Sequence, residues 1–134
     1  MILFRPVGLR ELELIAASGW RQFPPRLDHQ PIFYPVLNEA YAEAIAKNWN
    51  TKDINSQFCG FVTQFTIDDD YGSRFPVRVV GDRYDQELWV PAEQLDAFNQ
   101  HILDNICVIS SFYGIDFHGE IDPLSKLPAS VAAT

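Results

Sequence analysis

A chain of 134 residues with a net charge of -8 has room for one hydrophobic core and buries about two thirds of the surface that its unfolded form exposes. Apolar residues make up 47% and charged residues 21%, the balance of an ordinary globular domain and not of a repeat array or a low-complexity chain. The acid excess argues against a nucleic-acid backbone or an anionic membrane as partner, since both need a basic surface.

In chain order, ILFRPV predicts a first strand, with Pro6 fitting an edge or strand end. Arg5 interrupts that apolar run, and nothing approaches the roughly 20 apolar residues of a membrane span, so neither a signal peptide nor a membrane anchor is expected. Leu9, Leu12, Ile15 and Ala16 recur at helical spacing, and Gly19 is a stop signal. RQFPPRLDHQP is a loop, because adjacent prolines cannot join a ladder. IFYPV predicts a second strand. Asn38 can cap the helix EAYAEAIAKNW, in which Tyr41, Ala44, Ile45 and Asn48 share a stripe.

After the polar loop NTKDINSQ, FCGFVTQFTI alternates clearly and is the best strand signal, with Phe61, Thr63, Phe65 and Ile67 on one face. DDDYGSRF reads as an acidic turn, PVRVV as a fourth strand and GDRYD as a turn into a fifth. From Pro91 the period becomes helical, with Leu95, Phe98 and Ile102 buried, and ICVISSFY closes as a sixth strand. Residues 119–134 show little apolar periodicity and are expected as a loosely ordered C-terminal tail on a single domain spanning 1–118. Helices early and strands late make an α+β pattern rather than strict βαβ alternation.

His29, His101 and His118 are scattered, so no metal site is expected. No nucleophile-elbow, P-loop or dinucleotide-fold glycine motif occurs. Cys59 and Cys107 lack metal or redox spacing and read as buried free thiols, which fits a reducing cytoplasm. The stretch YDQELWVP stands out. Alternation puts Asp85, Glu87 and Trp89 on one face and Leu88 and Val90 on the other. Two acids and a tryptophan opposite a core face make either a solvated strand or one wall of a cleft.

Three segments, LFR on the first strand, FYPVLNEAYAEAIA on the second strand and its helix, and DQELWVP on the fifth, resemble in order and setting the signature regions of the ADP-ribosyltransferase-like superfamily. The resemblance spans about residues 2 to 113. The chain also looks like small bacterial proteins labelled "ADP-ribosylation/crystallin J1". It implies about six mainly antiparallel strands in a split sheet or half-barrel with about three helices. It further implies NAD as substrate, with ADP-ribose transferred to an unknown protein or small-molecule acceptor. Arg5 matches the NAD-binding arginine, Tyr34 the second-strand residue bordering nicotinamide, Glu87 the catalytic glutamate, and Asp85 an acid found in arginine-modifying members. YPV replaces the Ser-Thr-Ser-like stretch of many members with a first-strand arginine, a mixture of two subfamily patterns.

The residue types suit that chemistry independently of the resemblance. A carboxylate on a ribose hydroxyl stabilises the charge that develops as nicotinamide departs. A guanidinium holds pyrophosphate oxygens bidentately. An aromatic face shields the ring, Tyr34 first and Trp89 or Phe23 as a second wall. Arg26 in FPPR is either a loop residue or a phosphate contact at the cleft edge. The competing readings are a non-catalytic nucleotide- or protein-binding module of the same fold and a small acidic immunity-like protein.

Overall fold

Residues 58 to 67, whose alternation is the clearest in the chain, form the centre of the main sheet. In the computed structural model, which describes residues 1–132, strand β3 (Cys59–Thr66) lies between β1 (Ile2–Val7) and β7 (Cys107–Tyr113), antiparallel to both. Ala133 and Thr134, the end of the expected tail, lie outside the described residues. A bulge shifts the β3–β7 register between Val62 and Thr63. Two short pairs complete the strands: β2 (Ile32–Phe33) with β6 (Val90–Pro91), and β4 (Val77–Val79) with β5 (Gln86–Leu88). The architecture is α+β with open antiparallel sheets.

A single residue joins the β4–β5 hairpin to the main sheet. Val36 exchanges backbone hydrogen bonds with Phe4 (2.9 and 2.7 Å), while Leu37 donates to Gln86 and Leu88 donates to Pro35. Phe4, Val36, Glu87 and Arg78 therefore lie opposite one another across four segments and share a face. The Phe4 N–H points toward Val36; by alternation Pro6, which has no N–H, takes the same side two residues on. The ladder stops there, and the space beyond it opens as a cleft.

Helix α1 (Leu9–Ala17) buries Leu9, Leu12, Ile15 and Ala16, and Gly19 ends it at a φ of 77°, a conformation that glycine adopts without a Cβ penalty. The larger core joins this helix to the Leu3 and Val7 face of β1 and to α4 (Leu95–Gln100). At its centre Phe23 packs against Phe33 and Phe65, with ring centroids 5.1 and 4.9 Å apart, and Phe98 closes on Phe33 at 5.6 Å. Such tilted and edge-on pairs add about 0.5–1.5 kcal/mol each beyond their burial. The opposite face is covered by α2 (Glu39–Asn48), capped as expected by the Asn38 side chain, which accepts from the Tyr41 amide. Its buried residues are Ala42 and Ala46, not the stripe through Tyr41 and Ala44. Two alanines let this helix lie close against Val36, Val62 and Gly60.

Other elements differ locally from their sequence patterns. The expected second strand is ladder only at Ile32–Phe33, because Pro35 cannot donate within one. The fifth strand breaks at Trp89 into β5 and β6. The acidic turn carries a short helix, α3 (Asp69–Gly72), with Asp68 accepting from the Tyr71 amide at 2.9 Å. Cys59 is buried and its thiol is pushed up to about 12 by desolvation, but Cys107 is exposed on edge strand β7. Beyond residue 118, Tyr113 donates to the Lys126 carbonyl, and α5 (Ala129–Ala132) buries Val131 in the main core. No helix among the described residues is long and apolar enough to cross a membrane.

A Cβ on Gly60 would stand 2.5 Å from the Ala46 carbonyl oxygen and 2.7 Å from the Asn50 Cβ. Gly60→Ala is expected to push α2 off the sheet and destabilise the fold by about 1–3 kcal/mol. Urea denaturation checks this, and an unchanged midpoint would show that the helix has room to move.

Candidate functional site

Where the β1 ladder ends, residues from β1, the start of α1, the proline loop, one stripe of α2 and β5 line a cleft of about 670 Å³. That size lies within the range of small-molecule sites. Arg5, Tyr34, Arg26 and Glu87 all line it. Asp85 and Trp89 do not. Arg5 and Glu87 stand on opposite faces of the sheet, Arg5 with Leu3 and Val7 by alternation, Glu87 with Phe4 and Val36. The cleft wraps the end of the ladder and reaches both.

Arg5 is 5% exposed, and a guanidinium in that position needs a partner. Glu11, in the first turn of α1, supplies it. Its carboxylate accepts from Nε at 2.7 Å and from Nη2 at 3.0 Å. Burial pushes the Arg5 pKa down, but the Glu11 charge and hydrogen bonds outweigh it, and the net shift is upward. The guanidinium also lies over the Phe33 ring (4.7 Å) and beside that of Tyr34 (5.6 Å), and Nη1 has no hydrogen bond among the described residues. Arg26, from the proline loop, is 5.8 Å from the same Tyr34 ring and donates through Nε to the Ile32 carbonyl. Partial burial and the neighbouring Arg5 charge lower its pKa. Both guanidinium groups thus lie against the Tyr34 ring in a favourable cation–π setting.

Glu87 is equally constrained. Its Oε2 accepts from the Tyr41 hydroxyl at 2.7 Å and its Oε1 from the Trp89 indole N–H at 3.0 Å. Each oxygen keeps a lone pair for one further donor. Burial first, and then the Glu87 carboxylate, hold the Tyr41 phenol well above its ordinary pKa, so it stays a donor. Trp89 therefore holds Glu87 without lining this cleft, and Arg78 lies over its ring at 5.5 Å. Asp85 closes the hairpin turn, its carboxylate accepting from the Asp82 amide at 3.3 Å and its backbone amide donating to the Asp82 carbonyl.

Glu11 and Tyr41 are the partners that the sequence patterns did not mark. Glu11 faces Arg5 across the Gly8 turn, where no periodicity applies, and Tyr41 meets Glu87 from 46 residues away. Phe23, considered as a second wall, is a core residue. No group of three or more His, Cys, Asp or Glu residues able to hold a metal occurs among the described residues. In comparisons with protein-family models, with curated proteins and with solved structures, nothing matches.

Removing the carboxylate in Glu11→Ala leaves the Arg5 charge buried and unpaired. A loss of about 3 kcal/mol is expected, the lower end for such pairs because Glu11 itself is partly solvated. Arg5→Met combined with Glu11→Leu should recover most of it. Denaturation of the three variants decides, and a single variant within about 0.5 kcal/mol of the parent would make the pair energetically idle.

Proposed function

We propose that the cleft binds NAD and that the protein is an NAD-dependent mono-ADP-ribosyltransferase with the split-sheet arrangement of that superfamily. One observation carries this reading: Arg5, Arg26, Tyr34 and a carboxylate fixed at both oxygens, Glu87, line one cavity of ligand size. Three arginines offset three carboxylates in its lining although the whole chain carries -8, so an anionic ligand meets a locally neutral site on an acidic protein.

The chemistry follows from those groups. Arg26 and the open Nη1 of Arg5 hold pyrophosphate oxygens, and the Tyr34 face excludes water from the nicotinamide ring. As the bond from ribose to nicotinamide breaks, its electron pair leaves with the nicotinamide and positive charge grows on the sugar. Glu87 accepts a hydrogen bond from the ribose 2-position hydroxyl and stabilises that charge. Tyr41 and Trp89 hold its carboxylate in place beforehand. An acceptor nucleophile, or water, forms the new bond to the sugar carbon and releases its proton to solvent. Asp85, in the turn outside the lining, has no role in this scheme.

A binding module of the same fold is the second reading, favoured by one feature: the Arg5 fork is already engaged by Glu11. Nicotinamide release separates the two. Glu87→Gln, nearly isosteric, is expected to keep the fold and lower the release rate by about 10²-fold or more. Equal rates in the two proteins remove Glu87 from the mechanism, and NAD binding without release by the parent protein selects the module.

A further inference from the structure

Residues 76–84, which hold β4 and the turn that follows it, are exposed throughout, although Val77, Val79, Val80 and Tyr84 among them are large and apolar. β4 is also a sheet edge. Trp89 donates to the Pro76 carbonyl at 3.0 Å and Val80 to the Asp85 carbonyl at 2.8 Å. In the antiparallel register that pairs Val77 with Leu88 and Val79 with Gln86, the N–H and C=O groups of Val77 and Val79 therefore point away from β5. Nothing among the described residues pairs with them. Charge marks the same stretch. Arg74, Arg78 and Arg83 are exposed basic residues on a chain of net charge -8, and none of them enters an ion pair among the described residues. Each lies instead over an aromatic ring, Arg74 over Tyr71 (5.5 Å), Arg78 over Trp89 (5.5 Å) and Arg83 over Tyr84 (4.7 Å), which steadies the planar group and leaves its charge for a further partner. The nearby acids Asp82 and Asp85 belong to the turn, where the Asp85 carboxylate accepts from the Asp82 amide.

We propose that β4 is a docking edge for an extended acidic segment of a partner protein, which adds a strand to the sheet. Unpaired edge groups invite such addition. Alternation sets the pattern that fits: partner residues opposite Val77 and Val79 face those two valines, 46% and 58% exposed, and their neighbours take the Arg78 side. Apolar side chains thus alternate with carboxylates, which the guanidinium groups accept in fork geometry. A second copy of the chain fits less well, because pairing Val77 with Val79 of the copy sets Arg78 opposite itself and brings no carboxylate. A nucleic acid would use the arginines but leave the valines and the backbone edge without partners. None of residues 74–86 lines the cleft, so this surface is independent of what the cleft binds.

The test is titration of the full chain with two synthetic peptides, one alternating valine with glutamate and the other valine with lysine, followed by peptide fluorescence anisotropy and by NMR exchange of the protein amides. The glutamate peptide is expected to bind about 10-fold more tightly than the lysine peptide and to slow exchange of the Val77 and Val79 amides. Arg78→Glu, at an exposed side chain, should weaken the glutamate peptide by about 10-fold, since it replaces an attraction by a repulsion. Val79→Pro removes one outward N–H and spares the ladder to β5, and it should weaken the peptide by about 5-fold. No binding at millimolar concentration, equal affinity for the two peptides, or unchanged exchange at Val77 and Val79 would each overturn the docking edge. Tighter binding of a thymidine oligonucleotide than of the glutamate peptide would overturn it in favour of a nucleic acid. Protection of the Val77 and Val79 amides that grows with protein concentration in the absence of peptide would overturn it in favour of a second copy.

Discussion

The backbone bridge at Val36 is the constraint on which the site depends. It ties β1 to β5 through a segment that forms no strand of its own, and it ends at Phe4 because Pro6 offers no N–H two residues later. Had the ladder continued, Arg5 and Glu87 would stand on opposite faces of a closed sheet with nothing between them. Because it stops, the chain splays, and the α1 and α2 sides of the sheet open onto one cavity. The same bridge fixes the Glu87 register, since Val36 faces Glu87 directly.

Both charged groups flanking the gap are held before any ligand arrives. Arg5 is fixed by Glu11 and two aromatic rings, Glu87 by a phenol and an indole. On the proposed reading, charges fixed in this way need no reorganisation during the reaction, and such preorganised electrostatics are usually the largest single contribution to catalysis. Holding them costs stability elsewhere. Arg5 occupies core space beside Phe33 and forces a carboxylate into the first turn of α1. Glu11 there also complements the positive end of the helix.

Local chemistry made much of the fold legible in the sequence. The α1 stripe of Leu9, Leu12, Ile15 and Ala16, the Gly19 stop, the Asn38 cap and the alternation of β3 all express short-range rules, and each is found where its pattern lies. The α2 stripe was misread for a physical reason. Its sheet-facing side carries alanines, which pack closely but give a weak periodic signal, while Tyr41 and Ile45 face the cleft. In the site, Arg5, Tyr34, Arg26 and Glu87 were readable as residues but their partners were not. Asp85 and Trp89 follow Glu87 in sequence alternation, yet the turn at Asp82 and the break at Trp89 take both out of the lining. Pairs such as Arg5 with Glu11 and Tyr41 with Glu87 arise from chain reversal and long-range packing, which leave no mark on residue spacing.

The chain's three tryptophans are placed to report on the cleft: Trp49 lines one end, Trp89 donates its indole N–H to Glu87 at the other, and Trp20 packs against the main core away from both. The most direct measurement is an NMR titration with NAD that follows the three indole N–H resonances. Movement of the Trp49 and Trp89 signals along one saturation curve, with Trp20 unmoved, is the predicted result. No movement of either at millimolar NAD, or movement of Trp20 alone, would contradict a dinucleotide site in this cleft.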